Sequence, residues 1–173
     1  MKRKIDFYLK KKLLIKDNIV IDLATGYLEK AKINLITMQI LLDIQNDKII
    51  REKLNVPKEY STYEWVVVCG YYAMYTSALA LLAKIGFRSK NHTATLLVLE
   101  EFFVKKKLLN DESFIRIKNA MFQKEEIEKL SDARDKREIA QYSITKQTTK
   151  KIAEKIKKDA YEFVNKCEEV LSD

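Results

Sequence analysis

Glycine and proline are nearly missing from this chain: three glycines and one proline stand among 173 residues. A fold of many strands joined by tight turns needs far more of both. Their scarcity excludes a turn-rich β protein and predicts long helices joined by few loops. Cysteine is scarce too. Cys69 and Cys167 lie far apart without CxxC spacing, each on an apolar helical stripe. That predicts buried free thiols in a reducing, cytoplasmic setting rather than a disulfide framework. Histidine occurs once, at His92. One histidine and two separated cysteines are too few ligands for a zinc site, so no metal and no cofactor is expected. The N-terminus is basic, but no apolar stretch with a cleavage site follows it, and no signal peptide is read there.

Apolar residues, by contrast, are plentiful at 47%, enough for one domain with a sizeable core. The formal charge of +8 is concentrated. Residues 1–16 carry seven basic side chains against Asp6, and residues 146–158 carry six against Glu154. The remainder holds 20 basic and 23 acidic residues, a net charge of −3. Two basic patches of this kind attract phosphates or anionic lipid, or are simply solvated helix faces. The expected organisation is a basic N-terminal arm over residues 1–18 and a helical bundle domain over residues 19–173.

Helical periodicity runs through the rest. Ala24, Leu28, Ala31, Leu35, Met38 and Leu42 repeat at steps of four and three, an amphipathic helix from Leu23 to about Asp47. Pro57 breaks the chain before a second helix, about Tyr60 to Lys84. Residues 65–83 of that helix carry no charge. A membrane span is the obvious alternative, but Tyr71, Tyr72, Tyr75, Thr76, Ser77 and Gly70 make the run only moderately apolar. A central helix surrounded by others fits better. Gly86 should end it, "FRSKN" should be a loop, and His92 to Leu109 should form a third helix with Leu96, Leu99 and Phe103 inward. A fourth is expected from Asp111–Ser113 to Tyr142. A fifth is expected from an N-cap at Thr145, with Ile152, Ile156, Ala160, Phe163, Cys167 and Val170 as its stripe. The expectation is an all-α, antiparallel, up-and-down bundle of about five helices.

One stretch breaks the pattern. In "ARDKREIAQYSI" the residues Leu130, Ala133, Arg137, Ala140 and Ile144 share one stripe, and an arginine sits at its centre between alanines. A guanidinium on a core-facing stripe must be paired or must bind an anion, because burying it alone is costly. Glu138 can pair with Arg134 within the helix, which leaves Arg137 to seek another partner. That partner is either a carboxylate or carbonyl of a neighbouring helix or subunit, or a phosphate.

The segment "GYYAMYTSALALLAKIGFRSKNHTATLLVLEEFFVKKKLL" followed by "RDKREIAQY" resembles the HEPN superfamily (higher eukaryotes and prokaryotes nucleotide-binding), in particular its small stand-alone prokaryotic branch. The shared features are a tyrosine-rich "YYAMF"-like helix, a "Gly…Lys-Ser-His"-like helix start and an "Arg-Glu-x-Ala-Asp-Tyr"-like segment, over most of residues 60–145. The resemblance implies a helical bundle, usually a homodimer, associated with RNA. Catalytic members are metal-independent endoribonucleases with an arginine, four to six residues, then a histidine. Many are toxins neutralised by a small nucleotidyltransferase partner. Carried over, Arg137 matches the motif arginine, Glu138 its polar neighbour, and Tyr142 stands where the histidine belongs. RNA cleavage through the 2′-hydroxyl needs proton transfer near neutral pH, which suits histidine and not an ordinary tyrosine. Weak or lost RNase activity with a retained anion-binding arginine is the expectation.

The candidate site therefore comprises Arg137, Glu138 and Tyr142 as a degenerate motif, with His92 as a substitute acid or base. Arg134, Tyr71, Tyr72, Lys146, Lys150 and Lys151 are candidate RNA- or nucleotide-binding residues. Tyr71, Tyr72 and Tyr75 should be core aromatics whose hydroxyls reach Arg137 or His92, or one of them a platform for a base. Three functions follow: an RNA- or nucleotide-associated protein of a toxin–antitoxin or defence module, a non-catalytic interaction module whose polar "RDKREIAQY" face docks a nucleotidyltransferase or other protein, or a membrane-surface protein.

Overall fold

The computed structural model describes the backbone of residues 2–134 and 142–172, and the side chains of residues 3–125 and 150–172. Among the described residues it holds seven α-helices and one two-stranded sheet: α1 (Lys2–Lys10), β1 (Leu14–Lys16), α2 (Ala24–Asn46), α3 (Lys48–Lys53), α4 (Tyr63–Lys84), β2 (Phe87–Ser89), α5 (His92–Leu99), α6 (Asp111–Arg134) and α7 (Tyr142–Ser172). A 3-10 turn (Asn18–Leu23) leads into α2, and a π-helical turn (Glu100–Val104) continues α5. The all-α reading holds.

The central element is α4, packed against α2, α6 and α7. Its charge-free stretch explains the placement, since a helix apolar all round is stable only where neighbours cover it. It is long and apolar enough to cross a membrane, yet 72% of that stretch is buried inside the protein. Around it the predicted stripes point inward. Ala31, Leu35, Met38 and Leu42 of α2 are buried, as are Ile156, Ala160, Phe163, Cys167 and Val170 of α7. At Gly70 three helices approach closely, and a Cβ there would overlap Cγ2 of Ile156 and meet Sδ of Met38 at 3.1 Å.

Helix ends are fixed by named groups. The Asp47 carboxylate accepts from the backbone N–H groups of Ile49 (2.8 Å) and Ile50 (3.1 Å), capping α3 as the chain leaves α2. Thr62 ties the start of α4 to α2, its Oγ1 donating to the Leu41 carbonyl at 2.7 Å. Gly86 ends α4 as expected, with φ +72 and its N–H on the Ala83 carbonyl at 2.8 Å. Lys84 Nζ donates to the carbonyls of Val170 (3.1 Å) and Leu171 (2.9 Å), a cation at the C-terminal end of α7.

Four boundaries differ from the sequence reading. The α-helix from His92 stops at Leu99, widens to π geometry, and gives way after Val104 to a turn with Lys107 at φ 60; Leu99 and Phe103 are buried all the same. Phe87–Ser89, expected as loop, pairs antiparallel with Leu14–Lys16. Strands of three residues leave no alternation long enough to read. Tyr142 opens α7 instead of closing the fourth helix, and Thr145 lies inside the first turn of α7, with no glycine or proline from there to Ser172 to interrupt it. The continuation of α6 beyond Arg134 falls on residues 135–141, outside the described residues.

The basic segment 1–16 is folded onto the bundle. Ile5 and Leu14 are buried in the core cluster, and α1 packs against α5. Cys167 is buried and Cys69 half-buried, both free thiols, so the burial expected of both is complete for one.

Candidate functional site

The chemistry-bearing side chains meet between α4 and the start of α5. Ser89 and Asn91 build that start. Ser89 Oγ donates to the Asn91 carbonyl at 2.9 Å, and the Asn91 side chain accepts from the Ala94 N–H at 3.0 Å, capping α5 one residue before His92. A capped helix start holds the His92 ring in one place.

Two tyrosines of α4, Tyr71 and Tyr75, face it, and Tyr72 packs beside Tyr71. The Tyr71 hydroxyl is hydrogen-bonded to His92 Nδ1. Tyr75, one helical turn on, lies beside the imidazole with ring centroids 4.3 Å apart and planes 36° apart. Tyr71 and Tyr75 are themselves stacked, 5.8 Å apart at 15°. Spacing of four on a helix brings such side chains together on one face. Tyr72 is tilted against Tyr71 at 5.3 Å and is 38% exposed, whereas Tyr71 is 1% exposed. Lys124 of α6 places Nζ over both rings, 5.9 Å from the Tyr71 centroid and 5.8 Å from that of Tyr72. Tyr75 also shares a side-chain hydrogen bond with Thr95, which is fully buried. Burial pushes the Tyr75 phenol above its ordinary value, so it stays protonated at neutral pH.

This arrangement can handle a proton. A phenol donating to Nδ1 leaves neutral imidazole with its proton on Nε2; on protonation the roles reverse and Nδ1–H donates to the phenol oxygen. Histidine is the side chain whose ordinary pKa lies nearest neutrality, so the Tyr71–His92 pair is the best-placed proton carrier among the described residues. Beside it Tyr72 presents an exposed ring able to stack a base, with the Lys124 ammonium over it. Among the described residues no three His, Cys, Asp or Glu side chains gather in a metal-binding group.

Of the sequence candidates, Tyr71, Tyr72 and His92 are brought together, and Lys150 and Lys151 are exposed on α7. Arg137 and Glu138 lie outside the described residues. Arg134 and Tyr142 are described as the last residue of α6 and the first of α7, and Lys146 as part of α7, with their side chains outside the described set. Thr95 and Lys124 are absent from the site candidates, whereas Tyr75 is among the tyrosines expected to reach Arg137 or His92 or to stack a base. Tyr75 sits four residues after Tyr71 and Thr95 three after His92, a signal that helical spacing carries. Lys124 carries none, being one lysine among many.

Comparison with known proteins agrees with the fold. The family described as HEPN domain matches residues 50–170. The chain is also 33% identical over 114 residues to a UPF0332 protein of Archaeoglobus fulgidus, covering 66% of this chain and 80% of that protein. No solved structure matches it. A helical bundle with this match over most of its length defines the class: the chain belongs to the HEPN family. Membership associates it with nucleotide-binding or RNase-like function.

Proposed function

We propose that this protein binds RNA or a nucleotide at the Tyr71–Tyr75–His92–Lys124 cluster, with weak or lost metal-independent RNase activity. The observation that carries the reading is the hydrogen bond between Tyr71 and the chain's single histidine, next to exposed Tyr72 and an overlying lysine. In this reading Arg137 binds phosphate, with Glu138, Tyr142 and Arg134 completing the groove, and Lys146, Lys150 and Lys151 extend the footprint. His92 supplies the proton transfer that Tyr142 is unsuited to. The protein acts as a cytoplasmic homodimer in a toxin–antitoxin or defence module, beside a nucleotidyltransferase partner.

The test is incubation of a mixed RNA pool with purified protein in chelator, comparing wild type with Arg137→Ala and His92→Ala. Cleavage abolished in both variants supports a working RNase. Binding without cleavage, weakened in both, supports a binding protein. No binding by any of them overturns the reading.

One observation favours the second reading, a helical module that docks a protein. Ile33, Ile36 and Ile40 form an outward stripe on α2, each more than half exposed, on the face opposite its buried residues. Co-purification with a nucleotidyltransferase encoded next to it, lost in Ile36→Asp and retained in His92→Ala, would favour that module.

A further inference from the structure

Residues 7–16 and 86–99 are distant in sequence, and the sheet brings them side by side. Leu14 pairs with Ser89, Ile15 with Arg88 and Lys16 with Phe87. Beyond the ladder, the Lys90 N–H donates to the Leu13 carbonyl at 2.8 Å. Lys12 and Leu13 therefore lie next to Lys90 and Asn91, immediately before His92. The two segments together hold Lys10, Lys11, Lys12, Lys16, Arg88 and Lys90 and no carboxylate, and all six basic side chains are exposed. Of the acids that adjoin the two segments, Asp6, Asp17 and Glu100, Asp17 turns its carboxylate to the Ile19 N–H at 3.0 Å. By strand alternation Arg88 and, two residues on, Lys90 share one face of the ladder while Lys16 falls on the other, so the basic strip beside the histidine is made by Lys10, Lys11 and Lys12 with Arg88 and Lys90.

We infer that this strip holds the sugar–phosphate backbone of an RNA strand whose terminal or flipped nucleotide lies on the exposed ring of Tyr72, beside the Tyr71–His92 pair. The inference rests on the nucleotide reading above and goes further, assigning the basic arm its role as the backbone-binding surface. Strand residues are spaced about 3.3 Å apart. Lys10, Lys11 and Lys12 at the end of α1 and in its turn, with Arg88 and Lys90, thus span more than one phosphate, which a mononucleotide does not fill. An anionic membrane would also meet a basic surface, but α1 has no spare apolar face for it: Ile5 is buried, and Tyr8 and Leu9 pack on the core, leaving Phe7 outward. Polyphosphate is the better fit to exposed charge over a folded, apolar-depleted surface.

Lys12 gives a clean variant. It sits at φ 55, a conformation glycine adopts at no steric cost, so Lys12→Gly relieves strain while removing one charge. The experiment measures fluorescence anisotropy of a labelled 12-nucleotide mixed-sequence RNA, and separately the affinity for adenosine 5′-monophosphate, at several salt concentrations. The proteins are wild type, Lys10/Lys11/Lys12→Gln, Lys12→Gly, His92→Ala, and Lys48/Lys53/Lys58→Gln as an equal-charge control on and after α3. Each phosphate contact contributes about 0.7 to the log–log salt slope for single strands. The arm triple variant should therefore flatten the slope by about 2 and weaken the 12-mer roughly a hundredfold near 0.1 M salt, with the mononucleotide unchanged. Lys12→Gly should lose part of that affinity while melting no lower than wild type, and the control should keep most of it. RNA binding that needs His92 but ignores Lys10–Lys12, or falls equally in the control, overturns the strip and leaves the nucleotide site standing. Wild type that binds neither probe overturns the underlying reading. Arm-dependent binding to phosphatidylserine vesicles without RNA binding overturns both in favour of a membrane surface.

Discussion

Gly70 of α4 and Ile156 of α7 touch so closely that a single methyl group on the glycine would overlap the isoleucine's Cγ2. Gly70→Ala gains about 0.5–1 kcal/mol of helix propensity, while overpacking costs about 1–3 kcal/mol. A net loss on the order of 1 kcal/mol is expected in the urea-unfolding midpoint. Ile156→Leu removes the β-branch methyl, so the double variant should recover part of that loss. A Gly70→Ala protein as stable as wild type would show that the three helices are not in close contact there.

Cys167 is fully buried beside Ser77, and burial pushes its thiol up to about 12 from the usual 9.0. The folded state therefore holds this proton where the unfolded state releases it. Any stability linked to it is fully present below pH 9 and is lost as pH rises towards 12, at most about 1.4 kcal/mol per pH unit. Cys167→Ala should flatten that alkaline decline. In the native protein at pH 8, iodoacetamide should modify Cys69 slowly and Cys167 not at all, with both labelled in urea, as read by intact mass. Rapid native labelling of Cys167 would contradict its burial.

Arg116 joins α6 to α7, reaching Glu112 at 2.6 Å, Asp159 at 3.5 Å and Glu162. Burial holds the Asp159 carboxyl above the usual carboxylate range despite the pull of Arg116. Its ionisation therefore costs stability as pH rises through its folded pKa. Arg116→Met should destabilise by about 1–2 kcal/mol at pH 7, between the values for exposed and buried pairs. The gap from wild type should narrow at pH 3.5, where Asp159 is protonated in both proteins. A gap that stays constant with pH would mean that Arg116 contributes packing and not charge.

Much of the helical architecture was legible because its signals are local. The stripe from Ala31 to Leu42 and the stripe from Ile156 to Val170 each repeat within one helix, and Gly86 ends α4 by its own backbone freedom. The site was legible in part. His92 and the tyrosines stand out by rarity and spacing, and the notion that a tyrosine hydroxyl reaches His92 is realised at Tyr71. Lys124 does not stand out, because its position over two rings depends on where α6 crosses α4. Arg137 and Glu138, the residues on which the family motif rests, lie outside the described residues.

By itself, then, the sequence determined that this chain is a bundle of long helices around an uncharged central one, since amphipathic periodicity and the lack of glycine and proline act residue by residue. Tertiary structure decided what those helices bring together. It seated the basic arm beside His92 through a three-residue ladder, and joined Tyr71 to an imidazole 21 residues away. Such contacts depend on the packing of whole helices, and no short window of sequence contains both partners.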